Sequence, residues 1–163
     1  NLLDTGAHFY DTYECSDGQF ISIGSIEPQF YAELRRIAGL ADDSEFDAQM
    51  NPAAWPALKG RLTDLFKAKS RDEWCALMEH TDVCFAPVLS MSEAPTHPHN
   101  AARGTFVEVG GDVQPAPAPR LTGTPADAPS PEKAAGTDTD TVLATIGFDS
   151  DEITRLRAAG AVS

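Results

Sequence analysis

The chain has 163 residues, of which 12 are Lys or Arg and 25 are Asp or Glu, giving a formal net charge of −13. That balance argues against a nucleic-acid backbone or an anionic membrane surface as the partner of the whole chain. No apolar run approaches the ~20 residues needed to cross a bilayer.

The amino end, NLLDTGAHFYD, carries neither the charged start nor the apolar block of a secretion signal. The cysteines Cys15, Cys75 and Cys84 are odd in number and show no C-x-x-C spacing, so neither a disulfide framework nor a zinc or redox site is expected. Reduced thiols and a cytoplasmic location are the default reading. His97 and His99 flank Pro98, and no nearby carboxylate completes a ligand set, so no metal and no cofactor are expected.

Residues 1–8 read as a lead-in loop. The chain starts at Asn1, not at a methionine, and only a few residues before its first strand, which points to a segment of something longer. Two runs rich in aromatic and β-branched residues follow, about 9–15 and 19–26. Asp17-Gly18 between them is a strong β-hairpin signal. Pro28 suits the first turn of a helix. Phe30, Leu34 and Ile37 recur at helical spacing, and Gly39 stands as a C-terminal stop.

Glu27 is therefore placed at the N-cap of that helix or just before it. The unpaired N–H groups and positive end of a helix favour an ionised carboxylate. Such a group can simply cap, as most acidic residues at helix starts do. It can also hold and polarise a histidine or a substrate proton.

Residues 41–52 are polar and acidic and read as a connecting loop with a short turn. A second helix is predicted over about 54–69, with Trp55, Leu58, Leu62, Leu65 and Phe66 on one stripe and Lys59, Arg61, Asp64 and Lys67 facing out. Ser70 to Glu73 forms a capping box opening a third helix, whose buried face would carry Trp74, Leu77 and Met78. The apolar run 83–91 has strand length, and Pro87 makes it an edge or bent strand. A short helix ending at Gly104 and a strand over 105–109 are predicted next.

From residue 110 to 136 six prolines make a regular element improbable, and an extended crossing segment is expected. The end recovers order. One helix is predicted over 137–146 with Val142, Leu143 and Ile146 inward. A second, over 149–159, has Ser150 as cap, Ile153 and Leu156 inward, and Gly160 as stop. That pair has too little apolar surface to stand alone and must dock on something. The expectation is an α+β fold. Residues 1–110 form a small mixed domain whose short sheet is the hairpin plus one or two further strands, packed with helices. Residues 111–136 form the Pro-rich crossing segment, and 137–163 a helical tail. No Gly-rich phosphate loop, nucleophile elbow or H-E-x-x-H sequence is present.

Resemblance extends the reading. The runs Phe9-Tyr10-Asp11-Thr12-Tyr13, Asp17-Gly18 and Gly24-Ser25-Ile26-Glu27-Pro28-Gln29-Phe30-Tyr31 resemble the α-methylacyl-CoA racemases, a branch of the family III CoA-transferase superfamily. Ala86-Pro87-Val88, His99-Asn100-Ala101-Ala102-Arg103-Gly104, Pro119-Arg120-Leu121 and the closing Leu156 to Val162 fit the same family. Glu-Pro-Gln-Phe-Tyr is the most specific piece and points to the racemase branch.

The resemblance implies isomerase chemistry. Enzymes of this branch interconvert the R and S forms of 2-methyl-branched acyl-CoA thioesters by removing the α-proton and reprotonating the opposite face. A histidine paired with a glutamate serves one side and an aspartate the other, and Glu27 matches the glutamate. Tyr10 and Ile26 match positions lining the acyl pocket, although an aromatic and an aliphatic on a hairpin are core residues just as often. The family's histidine and aspartate lie on a preceding large domain that this sequence lacks, and none of His8, His80, His97 or His99 matches the histidine. The resemblance thus implies a carboxyl-terminal portion, inactive alone, whose tail returns to the absent large domain within an interlocked homodimer. Two other readings stay open: a CoA-transferase of the same superfamily, which passes CoA between carboxylates through an aspartyl thioester, and a non-enzymatic interaction domain.

Overall fold

A computed structural model describes residues 1–163. In order, its regular elements are β1 (Tyr10–Glu14), β2 (Phe20–Gly24), α1 (Pro28–Ile37), α2 (Trp55–Phe66), α3 (Arg71–Met78), β3 (Phe85–Val88), α4 (Pro98–Arg103), β4 (Phe106–Val109), β5 (Asp112–Pro115), α5 (Thr139–Thr145) and α6 (Ser150–Ala158). The architecture is the expected mixture of helices with small antiparallel sheets, three-stranded in the order β1-β2-β3 and two-stranded in β4-β5. Two compact units make it up, Asn1–Glu93 and Ala94–Ser163. No helix is long and apolar enough to cross a membrane.

In the first unit, β1 and β2 form the hairpin, with Tyr10 opposite Gly24 and Tyr13 opposite Ile21. Gly18 has φ +75°, a conformation glycine adopts without a steric penalty. β3 adds at the far side of β2 with Pro87 opposite Ile21. A proline, lacking an N–H, is tolerated at that sheet edge. Tyr13, Ile21 and Ile23 point into the core, where they meet Leu58, Leu62 and Phe66 of α2 and Trp74 and Met78 of α3.

Phe66 is the junction of these elements. Its ring centroid lies 5.0 Å from that of Tyr13 and 5.1 Å from that of Trp74. Its carbonyl accepts a 2.9 Å hydrogen bond from Trp74 Nε1. The capping box at Ser70 forms as predicted: the serine hydroxyl accepts from Glu73 N, and the Glu73 carboxylate accepts from Ser70 N. Leu77, expected on the buried face of α3, is instead 43% exposed. Trp74 and Met78, four residues apart, define the buried stripe, and Leu77 falls beside it.

On α1 Leu34 is buried and Ile37 packs partly buried on the core as predicted, but Tyr31, not the half-buried Phe30, is the inward residue of the first turn. Two stretches read as loops also feed the core. Ala7 and His8 follow an irregular turn over Leu2–Gly6 and are sealed from solvent. A 3-10 turn over Ser44–Ala48 buries Phe46.

In the second unit, α4 ends at Gly104 with φ +56°. The Arg120 guanidinium donates to the carbonyls of Arg103 and Gly104 at that helix end. β5 corrects the sequence reading, because it is a regular element inside the Pro-rich stretch. Gly110 and Gly111, with φ +65° and +97°, make the tight turn that lets Val109 pair with Asp112. The cap of α6 is Asp149, one residue before the predicted Ser150. The Asp149 carboxylate accepts from the N–H groups of Asp151 and Glu152, and the Glu152 carboxylate accepts from Asp149 N. Ile153 is buried, but Val142 and Ile146, expected inward, are 55% and 67% exposed.

Candidate functional site

Glu27 is the N-cap residue of α1, with φ −71° and ψ 145°, and Pro28 occupies the first helical turn. Its side chain is exposed and makes no capping hydrogen bond. The carboxylate is thus not consumed in closing the helix. It stands at the positive end of α1, open to an incoming group.

The backbone leading to it is held tightly. Ser25 is fully buried; its N–H donates to Phe9 O at 3.0 Å and its hydroxyl to Val83 O at 2.5 Å. Ile26 N donates to Gly24 O, and Tyr31 N donates to Glu27 O at 3.0 Å. Gln49 Nε2 donates to Ser25 O at 3.2 Å and Ile26 O at 2.9 Å. The carbonyl of Gln49 in turn accepts from Trp55 Nε1 at 2.7 Å. Nothing in the spacing or composition of the acidic 41–52 stretch singles out Gln49, and the sequence reading missed it.

The turn carrying Gln49 is clamped by two arginines. Arg35 donates to the carbonyls of Leu40, Ala41 and Asp43 and pairs with Asp47 at 2.8 Å. Arg61 pairs with Asp43 and Glu45 and lies 4.9 Å over the Phe46 ring.

A hollow of about 340 Å³ opens on the sheet, and Tyr10, Thr12, Ser22, Gly24, Cys84 and Ala86 are among its lining. At Gly24 a Cβ would stand 3.5 Å from the Tyr10 ring, an ordinary contact distance. A second, polar hollow of about 450 Å³ lies at the start of α1, against Gln29, Phe30, Glu33 and residues 80–82. Of the residues singled out from sequence, Tyr10 lines the first hollow. Ile26 is half-buried and packs against the core, and Glu27 lines neither hollow. Cys84, which has φ +58°, feels the corner electrostatically. Burial first, then the charges of Glu27 and Asp82, hold its thiol above the ordinary range.

His80 lines the polar hollow at the start of α1. His8 is sealed in the core, with Nε2 2.8 Å from the Tyr31 hydroxyl. Burial, and secondarily the Lys59 charge, lower its pKa to about 4. No group of His, Cys, Asp and Glu is arranged to hold a metal ion.

The sequence model of CoA-transferase family III matches residues 2–139. The chain belongs to that family. Among its family III relatives, the α-methylacyl-CoA racemases of Mus musculus and Homo sapiens are 43% and 42% identical to it over 161 residues, covering 97% of this chain and 42% of each racemase. The chain thus spans less than half the length of these relatives. Its fold is similar to that of a hypothetical protein (Rv3272) from Mycobacterium tuberculosis, with a TM-score of 0.66 at 20% identity over 85% of this chain and 40% of that one.

Proposed function

We propose that this family III chain is the carboxyl-terminal part of an α-methylacyl-CoA racemase, which epimerises C2 of 2-methyl-branched acyl-CoA thioesters. The α-proton of such a thioester is weakly acidic. Its removal therefore needs a base on one face, an acid on the other, and stabilisation of the negative charge that develops on the thioester oxygen. In this reading the base and acid are a histidine and an aspartate from a preceding large domain, and Glu27 is the carboxylate that receives the histidine. A negative group on one imidazole nitrogen fixes the tautomer and raises the basicity of the other nitrogen, which then takes the proton. Reprotonation of the enolate-like intermediate from the opposite face gives the other stereoisomer. Only protons move, so the reaction calls for no redox or group-carrying cofactor.

The observation that carries this reading is the free Glu27 carboxylate, exposed at a helix N-terminus and not used as a cap. It is supported by the identity to two racemases over 97% of the chain. Tyr10, which lines the hollow with Gly24, and Ile26, half-buried against the core, are the acyl-contacting residues of the proposal. The tail from residue 137 docks on the large domain in a homodimer; the exposure of Val142, Ile146 and Phe148 suits that role. A reducing compartment such as the cytoplasm suits the three unpaired cysteines.

The test is to incubate the full-length protein with a pure (2R)-2-methylacyl-CoA in deuterated water. Loss of optical purity with one deuterium at C2 is expected. Transfer of CoA to an added carboxylate, without exchange at C2, would overturn the reading in favour of a CoA-transferase.

A further inference from the structure

We infer that Gln49 is a positioning residue for the Glu27 carboxylate, an inference that rests on the racemase reading of Glu27. The exposed Glu27 side chain makes no capping hydrogen bond that would fix its reach. Where its carboxylate can go is then set by the position of its Cα and the direction of its Cα–Cβ bond. Both are dictated by the backbone of residues 25–27.

Gln49 acts on that backbone. A side-chain amide carries two N–H donors on one planar group. The Gln49 amide nitrogen reaches two consecutive carbonyls, Ser25 O at 3.2 Å and Ile26 O at 2.9 Å. Those carbonyls belong to the two peptide planes that flank the Ile26 Cα. Because each plane is rigid, holding both fixes the Ile26 dihedrals, and the second plane runs through the nitrogen of Glu27 to its Cα.

Ser25 does not depend on this contact, since Phe9 O and Val83 O already hold it from two other sides. What Gln49 adds is the orientation of the Ile26–Glu27 peptide. Gln49 is itself anchored, through its own carbonyl, by Trp55 Nε1 at 2.7 Å on α2. It also follows the Ser44–Ala48 turn that Arg35 and Arg61 clamp. The helix α2 thus sets the aim of a carboxylate on a different helix, through one amide.

The experiment measures kcat and KM for deuterium exchange at C2 of a 2-methylacyl-CoA in the full-length protein. The variants are Gln49→Met, which keeps volume and removes both donors; Gln49→Glu, which keeps shape and cannot donate; Glu27→Gln; and the double variant Glu27→Gln/Gln49→Met. The expected result is a fall in kcat of about tenfold for each Gln49 variant with KM within about twofold, inside the up to ~100-fold that a 1 Å misplacement can cost. In the Glu27→Gln background the Gln49→Met change is expected to cost nothing further. Should Gln49→Met fail to fold, Gln49→Glu carries the comparison. An unchanged kcat in the folded Gln49 variants, or the same fold-loss whether or not Glu27 is present, overturns the positioning role and leaves the reading of Glu27 standing. A Glu27→Gln protein that exchanges at the wild-type rate overturns the reading itself.

Discussion

Nε2 of His8 lies 2.8 Å from the phenol oxygen of Tyr31 inside the core. Tyr31 donates its own proton to the carbonyl of Phe46 at 3.0 Å, so the imidazole must be the donor of the pair. Nδ1 is then the lone-pair nitrogen, and it is buried without a partner. Protonating it would place both a charge and an unsatisfied N–H where water does not reach.

This arrangement makes stability depend on pH in a defined direction. His8 titrates at about 4 in the folded chain, against about 6.5 for an unfolded histidine. Between those values the unfolded state binds the proton and the folded state does not. The contribution of His8 is therefore complete above about pH 6.5 and is lost as pH falls toward 4, at up to about 1.4 kcal/mol per pH unit. Urea unfolding at pH 7.0 and 5.5 should show the loss in the wild type, and His8→Gln should reduce it. An unchanged pH dependence in His8→Gln would assign the effect to other groups.

Phe46→Ala should destabilise the first unit by about 3–5 kcal/mol, the range for truncating a buried aromatic. Phe46 is fully enclosed, beneath the Arg61 guanidinium and against the His8 ring. Phe20→Ala, on the exposed side of β2, serves as the control and should cost under about 1 kcal/mol. Equal losses in chemical denaturation would show that the acidic turn is not part of the core.

Gly111→Val should open the β4-β5 hairpin. Its φ of +97° is one that L side chains rarely adopt, and no atom lies near its missing Cβ, so the cost is backbone strain alone. About 1–3 kcal/mol is expected, read as faster amide hydrogen exchange across Phe106–Val109 and Asp112–Pro115. Unchanged protection would mean that the turn tolerates a β-branched residue.

Much of the first unit was legible because its signals are local. Asp17-Gly18, Pro28 with Gly39, and Ser70 with Glu73 each act within a few residues and hold in the structure. Phe46 was not legible. A single aromatic in an acidic run has no period, and its burial depends on Arg35 and Arg61 arriving from two helices. His8 reads as loop for the same reason, since its partner Tyr31 is 23 residues away. β5 was masked by the surrounding prolines, although Gly110-Gly111 was a usable turn signal. Asp149 and Ser150 both suit an N-cap, and Glu152, three residues after Asp149, decides between them. At the candidate site the place of Glu27 was readable from Pro28, but its freedom from capping and its support by Gln49 were not, because both are properties of tertiary contacts.

The most direct measurement is the rate of deuterium exchange at C2 of a 2-methylacyl-CoA by the full-length protein carrying Glu27→Gln, which keeps the shape of the side chain and removes its charge. A carboxylate that tunes a catalytic histidine predicts a fall in kcat of about 100-fold or more with KM little changed. Exchange at the wild-type rate would contradict it.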